Sequence, residues 1–151
     1  RIFFSPVVDY EDVFQRFKLC DLFLDTFPYS AHTTASEALS SGLPLLAIQG
    51  ESFQSRVSSS LLKNLNIPEL ITSNTDDYEN FAINLSNNSK KLEEIKQKLI
   101  SSIKNSNTFN TKIYTKNLEW DLTLCLRQVE VGLPKTPKNG RPKQLIFYFC
   151  F

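Results

Sequence analysis

The sequence predicts an α/β fold in which a parallel sheet carries helices on both faces and further helices follow at the carboxyl end. Three observations carry that expectation. Short apolar runs recur at 21–25, 44–48 and 69–72, each too short for a helix and bounded by turn residues. Between them lie segments whose apolar residues repeat at helical spacing. Strands and helices that alternate in this way build parallel sheets through right-handed crossovers.

Arg1 to Ser5 opens the chain with a β-like run, Ile2-Phe3-Phe4, stopped by Pro6. Tyr10 to Leu19 carries Val13, Phe14 and Phe17 at helical spacing, which predicts a helix. Asp21 to Asp25 is the next strand and Thr33 to Ser41 the next helix, closed at Gly42, a residue that accepts the left-handed conformation common past helix ends. Pro44 to Ile48 is a third strand. Gly50-Glu51-Ser52 opens another helix, with Ser52 as N-cap and Phe53, Val57, Leu61 and Leu65 along one face. Glu69 to Thr72 forms a fourth strand, and Asn74 or Thr75 caps a helix reaching about Leu85.

Beyond Asn88 the alternation stops. Leu92, Ile95, Leu99 and Ile103 mark one amphipathic helix, and Tyr114, Leu118, Leu122, Cys125 and Val129 a second, both expected to pack over the sheet. From Gly132 the composition turns to proline, lysine and glycine, the mark of an irregular tail, and Leu145 to Phe151 is β-prone. The expected division is therefore a sheet unit at 1–88, a helical appendage at 89–131 and a tail at 132–151.

Composition narrows the function classes. With 151 residues, 41% hydrophobic and 22% charged, the chain is an ordinary globular domain. Its 17 basic and 16 acidic side chains leave a net charge of +1, which disfavours nucleic acid and anionic membranes as partners. The apolar run Ile146 to Phe151 falls far short of the roughly 20 residues that span a bilayer. Cys20, Cys125 and Cys150 lie far apart beside a single histidine, so neither a zinc site nor a disulfide framework is expected. Buried free thiols in a reducing, cytoplasmic setting are the expectation. The chain starts at Arg1 inside an apolar run and has no methionine, which reads as a piece of a longer protein.

The junction Ser30-Ala31-His32-Thr33-Thr34 carries the only histidine, between a strand and a helix. A helix that opens beyond the carboxyl end of a buried strand points free N–H groups and a partial positive charge above the sheet, where phosphates bind. Two hydroxyls and an imidazole add donors there, so the junction reads as a diphosphate cradle. On spacing alone, a threonine N-cap beside a surface histidine fits equally well. Glu37, one turn on, has the placement of a ribose acceptor, although position alone favours a carboxylate placed by the helix dipole. Arg56 could reach a sugar or phosphate, or sit on a solvated face. Trp120 and Tyr114 read as core, and the charges from Lys90 to Lys98 as a solvated surface.

The run from Asp21 through Asp25-Thr26-Phe27-Pro28-Tyr29 and His32-Thr33-Thr34 to Glu37-Ala38-Leu39, followed by Gly42-Leu43-Pro44 and by Gly50-Glu51-Ser52 through Arg56 to Leu62, resembles the carboxyl-terminal catalytic lobe of the O-GlcNAc transferase and SPINDLY family, glycosyltransferase family 41. Leu65 to Leu70, Asp77-Tyr78-Glu79 and Phe109-Asn110-Thr111 to Tyr114 extend it in the family's order, over about residues 1 to 135.

The resemblance implies most of the second Rossmann-like lobe of a GT-B glycosyltransferase, truncated at its amino end. It implies transfer of a sugar from a nucleotide donor, UDP-GlcNAc-like, to serine or threonine hydroxyls of proteins by inverting displacement. His32 would be catalytic and would hold the diphosphate with Thr33 and Thr34. Glu37 would meet the ribose, and Val8 and Tyr10 the base. Family members often flank the base with a lysine and a histidine; here stand Tyr10, whose ring can stack, and Val13, which has no donor. No cofactor or metal is implied. Upstream tetratricopeptide repeats and a first lobe would complete the protein, and this part alone would not turn over. The alternatives are a SPINDLY-like fucosyltransferase using GDP-fucose and a nucleotide-binding or interaction module without catalysis.

Overall fold

A computed structural model describes residues 2–131. Helix α1 (Tyr10–Phe17) leads to strand β1 (Phe23–Leu24), helix α2 (Thr33–Ser40), strand β2 (Leu45–Ile48) and helix α3 (Val57–Asn64). A 3-10 turn at Pro68–Leu70 precedes strand β3 (Ile71–Thr72), and helices α4 (Thr75–Asn87), α5 (Ser89–Asn105) and α6 (Thr111–Val131) follow.

The three strands are parallel, in the order β1-β2-β3. Phe23 pairs with Leu45 and Leu24 with Leu46, while Ala47 pairs with Ile71 and Ile48 with Thr72. Successive side chains of a strand face opposite sides, yet all four residues of β2 are buried, so both faces of the sheet are covered. That is why Pro44 to Ile48 reads as an unbroken apolar run. Leu39, Leu62, Leu65, Ile67, Leu85 and Leu99 converge on β2 in one core, and Phe17, Ala38 and Leu43 form a smaller cluster under α1.

Local chemistry sets the helix ends. Gly42 adopts φ +84°, the Gly42 amide donates to the Leu39 carbonyl at 3.0 Å, and the Leu43 amide donates to the Ala38 carbonyl at 3.0 Å. This is a Schellman closure, and it stops α2 where the glycine predicts. Asn66, at φ 56°, closes α3 in the same way, with the Ile67 amide donating to the Leu62 carbonyl at 2.9 Å. The Asn74 side chain accepts from the Asp77 amide at 2.8 Å and Asn88 accepts from the Lys91 amide at 3.0 Å, capping α4 and α5.

Four expectations are corrected. Ile2-Phe3-Phe4 forms no strand; the segment is irregular and exposed, tethered where Arg16 Nη2 donates to the Pro6 carbonyl at 2.8 Å. Strand propensity is realised only beside a pairing strand, and none lies there among the described residues. Ser52 caps no helix: α3 starts at Val57 with Arg56 at the N-cap, because Ser52 forms a turn with Ser55, and Phe53 is left exposed. Trp120 is 61% exposed rather than core, and Cys20 and Cys125 are exposed rather than buried. The exposure of Trp120 and Cys125 follows from α6, which leaves Leu118, Leu122 and Leu126 in the open, while Cys20 lies in the exposed loop after α1; α5 packs on the sheet core through Ile95 and Leu99, as expected. The tail at 132–151, with Cys150 and the β-prone end, lies outside the described residues.

Candidate nucleotide-sugar site

The site is built at the carboxyl ends of β1 and β2. Asp25, directly after β1, is buried, and its Oδ1 accepts from the Thr26 amide at 2.9 Å and the Ala31 amide at 2.8 Å. The Thr26 hydroxyl donates to the Tyr29 carbonyl at 2.8 Å, so the loop between them is curled back on itself. Ser30 is buried and donates both its amide and its hydroxyl to the Gln54 carbonyl, in the loop after β2. Ser58 on α3 donates to the Ala31 carbonyl at 2.8 Å. Residues 25–31 are thus held on both sides before the chain enters α2.

His32 takes the N-cap position of α2, and no side chain caps the helix. The first-turn N–H groups of a helix have no intrahelical partner, so this end offers donors and the positive end of the dipole. Thr33 and Thr34 are exposed and His32 is half-buried at the same end. The imidazole stacks on Tyr29 at 5.1 Å and 18° and meets the Phe53 ring edge-on at 6.1 Å and 85°. His32 Nε2 also lies 3.4 Å from the Gln54 carbonyl oxygen. A threonine cap, the competing reading of this junction, is not formed.

Tyr10 and Glu37 come from different helices and meet. The Tyr10 hydroxyl donates to Glu37 Oε1 at 2.8 Å, joining the start of α1 to the face of α2. That bond is the main reason the Tyr10 phenol is raised above its ordinary pKa, with desolvation and the Glu37 charge adding to it. Val8 is half-buried in the irregular segment before α1. Arg56 is exposed, and its Nε donates to the Gly50 carbonyl at 3.3 Å. Gly50 itself is required, since a Cβ there would lie 2.6 Å from Ser55 Cβ.

Sequence reasoning missed Gln54, Ser58 and Tyr78. The Tyr78 hydroxyl, from α4, donates to the Asp25 carbonyl at 2.8 Å, and its phenol is pushed up to about 12, first by burial and then by the Asp25 charge. No local signal marks such partners. A charged residue ending a buried strand was the available clue to Asp25. A separate groove of about 670 Å³ runs between β3 and α4, lined by Gln49, Ile71, Asp77, Asn80, Phe81 and Lys91, and it shares no residue with the His32 end. Among the described residues no group of three His, Cys, Asp or Glu side chains could hold a metal ion. No helix among them is long and apolar enough to cross a membrane.

The model of glycosyl transferase family 41 matches residues 1–118. The chain belongs to this family. The family 41 chain is 32% identical over 134 residues to the UDP-N-acetylglucosamine–peptide N-acetylglucosaminyltransferase of Caenorhabditis elegans, covering 89% of this chain and 12% of that protein. It is 33% identical over 108 residues to a Petunia hybrida protein described as probable UDP-N-acetylglucosamine–peptide N-acetylglucosaminyltransferase SPINDLY, covering 72% of this chain and 12% of that one. Its fold matches a mutant O-GlcNAc transferase of Thermobaculum terrenum with a TM-score of 0.71 at 27% identity, over 76% of this chain and 22% of that chain. The Rossmann-like parallel lobe expected from the sequence is therefore the fold observed. The chain spans about 12% of the length of these two curated relatives.

Proposed function

We propose that this chain is the donor-holding part of a protein O-glycosyltransferase and that the amino end of α2 binds the diphosphate of a nucleotide sugar. One observation carries the reading: α2 opens at the carboxyl end of a parallel strand with no side-chain cap, presenting His32, Thr33 and Thr34 at its free N–H groups. The reaction is displacement at the anomeric carbon by a serine or threonine hydroxyl, with inversion. Negative charge grows on the departing nucleoside diphosphate, and preoriented donors stabilise it there. His32 supplies a ring N–H, the threonines supply hydroxyls, and the helix end supplies amides, so no metal is needed for neutralisation.

Glu37 takes the ribose hydroxyls through Oε2, since Oε1 already accepts from Tyr10, and Tyr10 and Val8 border the base. The relatives' names support UDP-N-acetylglucosamine as donor and a peptide as acceptor. The complete protein, with a first lobe and repeats upstream, is a cytoplasmic enzyme in this reading, and this part alone does not turn over. Calorimetric titration of the full-length protein with UDP and with GDP tests the site. One of the two binds, and His32→Ala and Thr34→Ala each weaken it by about 1–3 kcal/mol, the loss for a hydrogen bond to a charged group. Unchanged affinity in both variants overturns the reading, and binding of GDP alone moves the donor to the guanine series.

A further inference from the structure

We propose that Asp25 is a positioning residue for this site: without touching the ligand, it fixes the backbone of 26–31 and thereby the placement of His32 and the amino end of α2. The inference rests on the diphosphate reading above. A carboxyl group at 7% exposure has lost its water and needs hydrogen bonds from the protein. Asp25 spends one oxygen on two amides at opposite ends of a single loop: Oδ1 accepts from Thr26 at 2.9 Å and from Ala31 at 2.8 Å. Ala31 is the residue before His32, so this oxygen sets where the helix begins.

Two further elements hold the same stretch. Tyr78, from α4, donates to the Asp25 carbonyl at 2.8 Å and so locks the end of β1. Ser58, from α3, donates to the Ala31 carbonyl at 2.8 Å. Of these three residues Asp25 alone bonds to both ends of the loop. Its Oδ2 is buried and, among the described residues, has no hydrogen-bond partner.

That asymmetry makes the role testable by sign. A carboxylate near a diphosphate repels it, so if Asp25 acted through its charge, removing the charge would by itself change binding. If it acts through Oδ1, an amide keeps part of the hold, because its oxygen still accepts from both N–H groups, while its buried NH2 gains no acceptor. The experiment titrates the full-length protein with the nucleoside diphosphate that binds the parent, UDP or GDP, at a temperature where circular dichroism shows each variant folded. Asp25→Ala is expected to lose at least tenfold in affinity, Asp25→Asn to lose clearly less than Asp25→Ala, and Tyr78→Phe to lose at least threefold.

Asp25→Ala binding within threefold of the parent, or Asp25→Asn losing as much as Asp25→Ala, overturns the proposal. Where Asp25→Ala does not fold, the Asn and Phe variants decide: parental affinity in Tyr78→Phe overturns it. His32→Ala and Thr34→Ala in the same series separate the two ideas. If both bind like the parent, the diphosphate reading fails; if either weakens while the Asp25 series does not, only the positioning role fails.

Discussion

The loops that follow β1 and β2 have the same place in the fold and opposite chemistry. Each leaves the carboxyl end of a parallel strand and enters an eight-residue helix whose N-cap, His32 in one and Arg56 in the other, makes no side-chain cap. After β2 the polar groups are spent inside the loop: Ser52 and Ser55 hydroxyls bond at 3.1 Å, the Gly50 amide donates to the Ser55 carbonyl at 3.2 Å, and Arg56 returns to the Gly50 carbonyl. Ser55, Val57, Ser58 and Ser59 are buried there. After β1 the loop is tied from behind by Asp25, Gln54 and Ser58, and Thr33 and Thr34 face outward. A strand-to-helix junction keeps its donors free only when they are not consumed locally, and here the second loop braces the first.

The sharpest way to break that contrast is Gly50→Ala. Its new Cβ meets Ser55 Cβ at 2.6 Å and Phe27 Cε2 at 3.2 Å, so the scaffold loop must move. A loss of about 1–3 kcal/mol in urea denaturation is expected, the usual cost of overpacking. A change under ~0.5 kcal/mol would mean that the loop is loose and braces nothing.

A smaller effect separates the two junctions directly. Thr34→Ala removes an exposed hydroxyl that caps nothing, so stability is expected to shift by less than about 0.5 kcal/mol while nucleotide affinity falls. Ser52→Ala reverses the pattern, costing about 1 kcal/mol of stability with affinity unchanged, since its hydroxyl serves its own turn. Equal behaviour of the two variants in both assays would erase the distinction.

The smallest effect is alkaline. Tyr78 is raised from 10.0 to about 12 in the folded protein, so its contribution is complete below pH 10 and is lost as pH rises towards 12. Because Tyr78 is only partly buried, solvent screening keeps the loss modest. Tyr78→Phe should flatten the fall in stability between pH 10 and 12, measured by denaturant titration at fixed pH. An unaltered slope would show that the link from α4 to Asp25 contributes nothing.

Much of the lobe was legible in the chain because its causes are local. The closure at Gly42, the Asn74 cap and the buried run Leu45–Ile48 each follow from residues within one turn or one strand. The junction at His32, Thr33 and Thr34 was legible too, since a strand end followed by a helix start lies within a few residues. Other segments misled for one reason. Ile2-Phe3-Phe4 and Trp120 carry the composition of strand and core, but burial depends on a neighbour that composition does not specify. Ser52 satisfied the cap pattern and was taken by a nearer hydroxyl partner, Ser55.

The amino-acid order by itself therefore determined the alternation of strands and helices, their stops and the residue types offered at the end of α2, because backbone preference and side-chain spacing act over a handful of positions. Tertiary structure alone decided that Tyr10 would reach Glu37 and that Gln54 and Tyr78 would hold the loop after β1. Those bonds join residues far apart in the chain, and such partners become neighbours only once the sheet has brought its strand ends together.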